Sequence, residues 1–293
     1  MPKIDVLTRK YISKPERFAE LFNTFAFDGA ELVMSKDLTD LPPSQNVSLS
    51  KTRSIIQRER DLLKLLKIMT DGESKFVLLG AENQTAVHYG MPVRVMVYDA
   101  LQYALQIEEL SSAMKQKSQN PDRNEFLSGM MKNAAIKPVI TLVIYWGSEK
   151  WDGPLSLSDM FDPLLPASVR NFAEDYRIKL LDMNAVPDEV IDSLKTDLKQ
   201  VLYFRKYADN PARLNELLNR ENSIFENVAR DAAELLSELT NTPIRLPKYK
   251  GGTVNMCEAV RQMCVDAARE AVIKAKAESE EALTKVKAES EKA

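Results

Sequence analysis

The sequence predicts a mixed α/β fold: a sheet flanked by helices, followed by a helical C-terminal extension. Three observations predict it. Two apolar runs, around Leu62–Leu66 and Phe76–Ala81, are joined across Asp71-Gly72, the strongest short signal for a β-hairpin. Residues 138–147 are β-branched and apolar on both faces, as a buried central strand is. Helical periodicity recurs at 14–27, from Pro92 to roughly Lys117, and from Pro187 to about Thr240.

In chain order, residues 14–27 place Phe18, Leu21, Phe22 and Phe25 at three- and four-residue spacing until Asp28-Gly29 breaks the pattern. A loop with short extended pieces follows, through Pro42-Pro43. Residues 53–69 are ambiguous, since Leu62, Leu63, Leu65 and Leu66 also suit a helix face. The Asp71-Gly72 turn favours strand, turn, strand. Pro92 suits a first helical turn, and Val93, Met96, Val97, Leu101, Leu105 and Ile107 supply an apolar stripe. Residues 118–137 read as a loop plus a short helix, and 176–183 as a further strand. Val190, Ile191, Leu194, Leu198, Val201 and Leu202 mark the first apolar face of the later helices. These elements divide as a core over 1–185, a helical extension over 186–245 and a C-terminal helical region over 246–293. In that tail, Lys274–Glu280 returns as Lys285–Glu291 with one Ala-to-Val change, an eleven-residue spacing. Its apolar positions are mostly alanine, so a solvated helix is favoured over a homo-oligomerising one.

Composition sets the outer limits. At 293 residues, 44% hydrophobic and 28% charged, the chain suits a globular protein with one substantial core. No apolar run approaches the length of a membrane span, and Met1–Asp5 has no secretory apolar region. Two cysteines, Cys257 and Cys264, make no disulfide framework, so the expected compartment is the cytoplasm. They are seven apart and read as small buried hydrophobes. The net charge of −3 gives no general footprint for nucleic acid. Locally, Lys51, Arg53, Arg58, Arg60, Lys64 and Lys67 crowd one stretch, for which a solvated face is the plain reading. There is no glycine-rich phosphate loop. The single histidine, His88, excludes any site built on several imidazoles; lying close to the candidate site it could touch substrate, but a structural or surface role is the plainer reading. Trp146 and Trp151, flanking Gly147, read as packing residues.

One constellation could carry chemistry. On a hairpin, Asp61 on the first strand and Glu82 near the end of the second can point to one face. Gln84 shares the face of Glu82 because strand side chains alternate, while Asn83 points away. Two carboxylates with a nearby amide suit a hard divalent cation. Glu20, on the first predicted helix, could add a third acid from the side. A solvent-facing Glu82 is the competing reading.

The string Leu79-Gly80-Ala81-Glu82-Asn83-Gln84-Thr85-Ala86-Val87-His88-Tyr89-Gly90-Met91-Pro92-Val93-Arg94, with Tyr98-Asp99 and Tyr103, resembles the recombination-promoting nuclease/putative transposase family. Phe18–Asn23, Arg60-Asp61, Pro138–Gly147 and Gly251–Ala259 support the likeness, which spans roughly residues 11–262. That family belongs to the PD-(D/E)XK nucleases and carries Glu-x-Gln in place of acid-x-Lys. The resemblance implies a restriction-endonuclease-like mixed sheet and Mg²⁺-dependent (or other divalent-dependent) hydrolysis of DNA phosphodiesters. Asp61 and Glu82 would be metal ligands and Gln84 a positioning group, since an amide is neither base nor cation. Arg94 and Tyr98, one helical turn apart, would contact phosphate or brace the carboxylates. A bare helix-to-sheet contact is the alternative for that pair. This chain has Glu20 where relatives often have Asp, and its tail lacks their repeated Glu-Gly pairs. The rival function is a nuclease fold retained as a DNA-binding or protein-interaction module without cleavage.

Overall fold

The computed structural model describes residues 3–42, 44–48, 55–116, 121–220, 222–240, 244 and 252–262. These form two compact units, divided between Leu202 and Tyr203. The first unit is a mixed α/β layer structure consistent with a restriction-endonuclease-like fold. It opens with α1 (Lys3–Ile12) and α2 (Pro15–Phe25), then β1 (Leu38–Asp40) and a separate hairpin, β2 (Ser44–Ser48) with β3 (Ile55–Glu59). Next come β4 (Leu62–Thr70), β5 (Glu73–Gln84), α3 (Met91–Gln116), α4 (Arg123–Ser128), β6 (Val139–Tyr145), α5 (Ala167–Arg170), β7 (Lys179–Asp182) and α6 (Asp188–Ser193). Helix α7 (Leu198–Lys206) runs across the division.

The main sheet has the order β1-β4-β5-β6-β7. Its first three strands pair antiparallel and its last three parallel. The predicted hairpin is present: Asp71 (φ 52°) and Gly72 (φ 79°) both take the left-handed conformation that a tight two-residue turn requires. The predicted central strand is β6, buried along nearly its whole length.

Each face of the sheet has its own cover. On one, α3 and the loops after β6 join Met91, Val95, Val143, Tyr145, Trp151 and Ile178 in a cluster. On the other, Tyr11 of α1 lies edge-on to Trp146, 6.4 Å between ring centres, and Lys64 of β4 sits over the Phe18 ring of α2. Phe18, Leu21 and Phe22 are buried as their spacing predicts. Arg17 fixes the two N-terminal helices: Nη1 donates to the Tyr11 carbonyl at 3.0 Å, and Nε and Nη2 make a forked pair with Asp197 at 2.6 and 2.5 Å.

Several expectations need correcting. Helix α1 was not foreseen. The α3 stripe is displaced: among its six predicted positions only Leu101 is buried, while Val93 is exposed. Met91, Val95, Tyr98, Asp99, Gln102 and Gln106 face inward instead. The helix is apolar over much of its circumference, so the buried face is set by polar partners elsewhere. Gln106, for example, pairs with the main chain of Lys137, its Oε1 accepting at 2.6 Å and its Nε2 donating at 3.1 Å. The basic stretch is not a solvated face either, because Arg60 and Lys64 are buried. Lys67 is exposed, and Lys51 and Arg53 lie outside the described residues.

The second unit holds α8 (Pro211–Leu218), β8 (Val228–Ala229), α9 (Arg230–Leu239) and β9 (Thr253–Val254). Strands β8 and β9 pair antiparallel beside a core that includes Phe225, Val228, Leu235, Leu236 and Met256. The run to Thr240 is therefore helical with a strand break, and Thr253–Val254 is extended where a helix was expected. Cys257 is half-buried. Cys264, the charged repeats and any oligomerisation through them lie outside the described residues.

Candidate active site

The antiparallel register pairs Leu62 with Ala81, so Asp61, one residue before β4, stands opposite Glu82 one step beyond. Asp61 thus leads into the strand rather than lying on it. Glu82 belongs to the face of β5 turned toward α3, from which Arg94 reaches it: Nη2 lies 3.5 Å from Oε2. The two predicted acids are neighbours at the end where β5 leaves the sheet, close enough for the charge of Asp61 to act on Glu82.

Glu82 is fully buried, which overturns the solvent-facing alternative. Neither of its carboxylate oxygens accepts a hydrogen bond of normal geometry. Buried carboxylates without partners are costly. Burial, reinforced by the charge of Asp61, pushes the Glu82 carboxyl up to about 8 against the opposing pull of Arg60 and Arg94. Asp61 is half-buried, and its Oδ2 accepts from the Asn83 main-chain N–H at 2.7 Å. Burial also raises Asp61 above the usual carboxylate range, with the Asn83 hydrogen bond, Arg94 and Arg9 opposing.

Such a donor set fits a hard divalent cation. It offers two carboxylates, Asp61 and a fully buried Glu82 neither of whose oxygens accepts a hydrogen bond of normal geometry, and the charge of Asp61 disfavours that of Glu82. A cation would neutralise both, and waters or phosphate oxygens would fill the remaining positions. Among the described residues no group of three or more His, Cys, Asp or Glu is placed to hold an ion.

The other candidates fall out as follows. Gln84 is half-buried, and its Nε2 donates to the neighbouring Asn83 carbonyl at 2.8 Å. Arg94 Nε donates to the Tyr98 hydroxyl at 3.2 Å, so this pair braces Glu82. Glu20 does not join the acids. Its carboxylate accepts from the main-chain N–H groups of Lys195 and Thr196 and from the Thr196 hydroxyl. His88 is half-buried beside Gly90 and Arg94, lining a groove rather than any cluster of acids. Trp146 and Trp151 are packed in the two layers, as expected.

Sequence reasoning missed four supports: Arg60, Tyr176, Asn83 and Arg9. Arg60, fully buried, donates from Nη1 to Thr141 Oγ1 at 2.6 Å and from Nη2 to Asp99 Oδ1 at 2.5 Å. Tyr176 donates to the second Asp99 oxygen at 2.5 Å, completing a network directly behind the acids. Asn83 does point away from Glu82, yet its main-chain N–H holds Asp61 and its Oδ1 accepts from Trp146 Nε1 at 2.9 Å. Arg9, on the unforeseen α1, acts on Asp61. The four-residue spacing of Asp5 and Arg9, with basic residues ending the segment, was the available signal for that helix.

No curated protein and no solved structure matches the chain. Residues 5–235, well over half of the sequence, match the family described as "Putative transposase, YhgA-like". That agrees with the resemblance carried by Glu82–Arg94, and the chain belongs to the YhgA-like putative transposase family.

Proposed function

We propose that this protein is a metal-dependent DNA endonuclease that hydrolyses phosphodiester bonds. The observation that carries the reading is Glu82, fully buried beside Asp61 with neither oxygen accepting a hydrogen bond of normal geometry and Arg94 as its ion partner, in a member of a transposase family. Asp61 and Glu82 would hold Mg²⁺ or another divalent cation. When bound, that ion would polarise a phosphoryl oxygen and lower the pKa of an attached water.

The chain's own residues do the remaining work. The Asn83 N–H keeps one Asp61 oxygen engaged and thereby orients the other. Arg94, braced by Tyr98, places a cation near Glu82 and near any phosphate drawn to it. Gln84 contributes hydrogen bonding at the rim and no charge. The wall formed by Arg60, Asp99, Thr141 and Tyr176 keeps the rear of the site dry and rigid.

The test is plasmid cleavage in magnesium by the parent, Asp61→Ala and Glu82→Ala. The parent should cut, and each variant should lose more than about 100-fold, since even outer partners of an ion are worth 10–100-fold. Equal cutting by all three would dismiss this site. The second reading, a nuclease fold that binds DNA or protein without cleavage, draws on the absence of exposed surface at Glu82. An inert parent that still binds DNA would favour it.

A further inference from the structure

Helix α1 ends on two cations that the proposed chemistry has not used. Arg9 and Lys10 occupy its last turn and line a groove of about 550 Å³ together with Ser13, Asp40, Leu41 and Asp61. Arg9 is half-buried and Lys10 exposed. Among the described residues, neither side chain makes a hydrogen bond or an ion pair. The groove holds one other acid, Asp40, and its charge is already engaged by Lys64. Arg9, near enough to Asp61 to act on its charge, and Lys10 therefore line the groove beside that acid with no hydrogen bond or ion pair of their own among the described residues. Tyr11 and Ile12, the next residues in the chain, are buried, so the helix end that presents the cations is fixed.

We infer that Arg9 and Lys10 form a seat for a phosphate of a polynucleotide backbone, in the same groove as Asp61. This deepens the nuclease reading and rests on it. A phosphodiester offers two non-bridging oxygens, which the planar fork of an arginine matches in pairs, while a lysine supplies a point charge beside it. A backbone brought to Asp61 through this groove would pass both cations. The seat serves position and affinity, and carries no sequence information.

The experiment measures binding of a fluorescein-labelled DNA duplex by anisotropy, in EDTA so that no cutting occurs, across a series of KCl concentrations. The proteins are the full-length parent, Arg9→Gln, Lys10→Gln, the double variant and Arg9→Lys. Each glutamine variant should bind roughly fivefold to tenfold more weakly and lose about one unit from the salt slope. The double variant should lose about two, and Arg9→Lys should retain the slope while recovering only part of the affinity. In magnesium, the glutamine variants should raise KM more than they lower kcat. Equal affinity and slope in the parent and the double variant would overturn the seat, and cleavage by that parent would leave the nuclease reading intact. A parent that binds in an Arg9-dependent manner but never cuts would sink the nuclease reading and keep the seat. A parent that neither binds nor cuts would overturn both.

Discussion

Burial and the charge of Asp61 push the Glu82 carboxyl from an ordinary 4.5 up to about 8, against the pull of Arg60 and Arg94. Between those values the folded chain holds a proton that the unfolded chain has released. Stability therefore falls as pH rises through that window, and levels off above about 8. Asp61, also raised, contributes with the same sign. Thermal melts from pH 5 to pH 9 should show this decline in the parent, and Glu82→Gln should flatten it. Added magnesium should raise the melting temperature of the parent at the alkaline end and leave Glu82→Gln nearly unmoved. Gly80 makes a second residue-scale case. A Cβ there would meet Arg60 Nη1 at 2.3 Å and Thr141 Oγ1 at 3.0 Å. That guanidinium is walled in, so Gly80→Ala should cost about 1–3 kcal/mol by denaturant titration. Glu82 itself was legible in the chain because strand alternation and the family string converge on it. Arg60 was not: its partners Asp99 and Thr141 lie 39 and 81 residues away, and a lone arginine in a basic stretch reads as solvated.

At the scale of elements, the β4–β5 hairpin and β6 could be read because local chemistry dictates them. Asp71-Gly72 supplies two left-handed residues, and the apolar run of β6 has no polar face to show. Helix α1 escaped notice because only Thr8, Tyr11 and Ile12 of its ten residues are buried, too few to make a stripe. Helix α3 was placed correctly and turned wrongly. Periodicity assumes that polar side chains face water, whereas Asp99 faces inward to serve Arg60, Thr141 and Tyr176. The attachment of α2 to the start of α7 tests how such polar links are valued. Asp197→Ala would strand the buried Arg17 guanidinium, 4% exposed, without its forked partner. The expected loss is about 3–5 kcal/mol, seen as a lower denaturation midpoint with an unchanged slope.

For the whole molecule, a net charge of −3 gives no general attraction for DNA, so any hold on it depends on where the cations are placed. If Arg9, Lys10 and Arg94 are the phosphate contacts, the logarithm of affinity should fall against the logarithm of salt with a slope of roughly −3. A slope near −8 would require a basic surface elsewhere. Asn83 has a consequence of another sort. It ties Asp61 on one side to the indole of Trp146 on the other, through a main-chain bond of 2.7 Å and a side-chain bond of 2.9 Å. With only two tryptophans in the chain, a Trp151→Phe variant would leave a single emitter wired to the acids. Cation titrations could then be followed as a change in its fluorescence, giving the protein an optical gauge of its own.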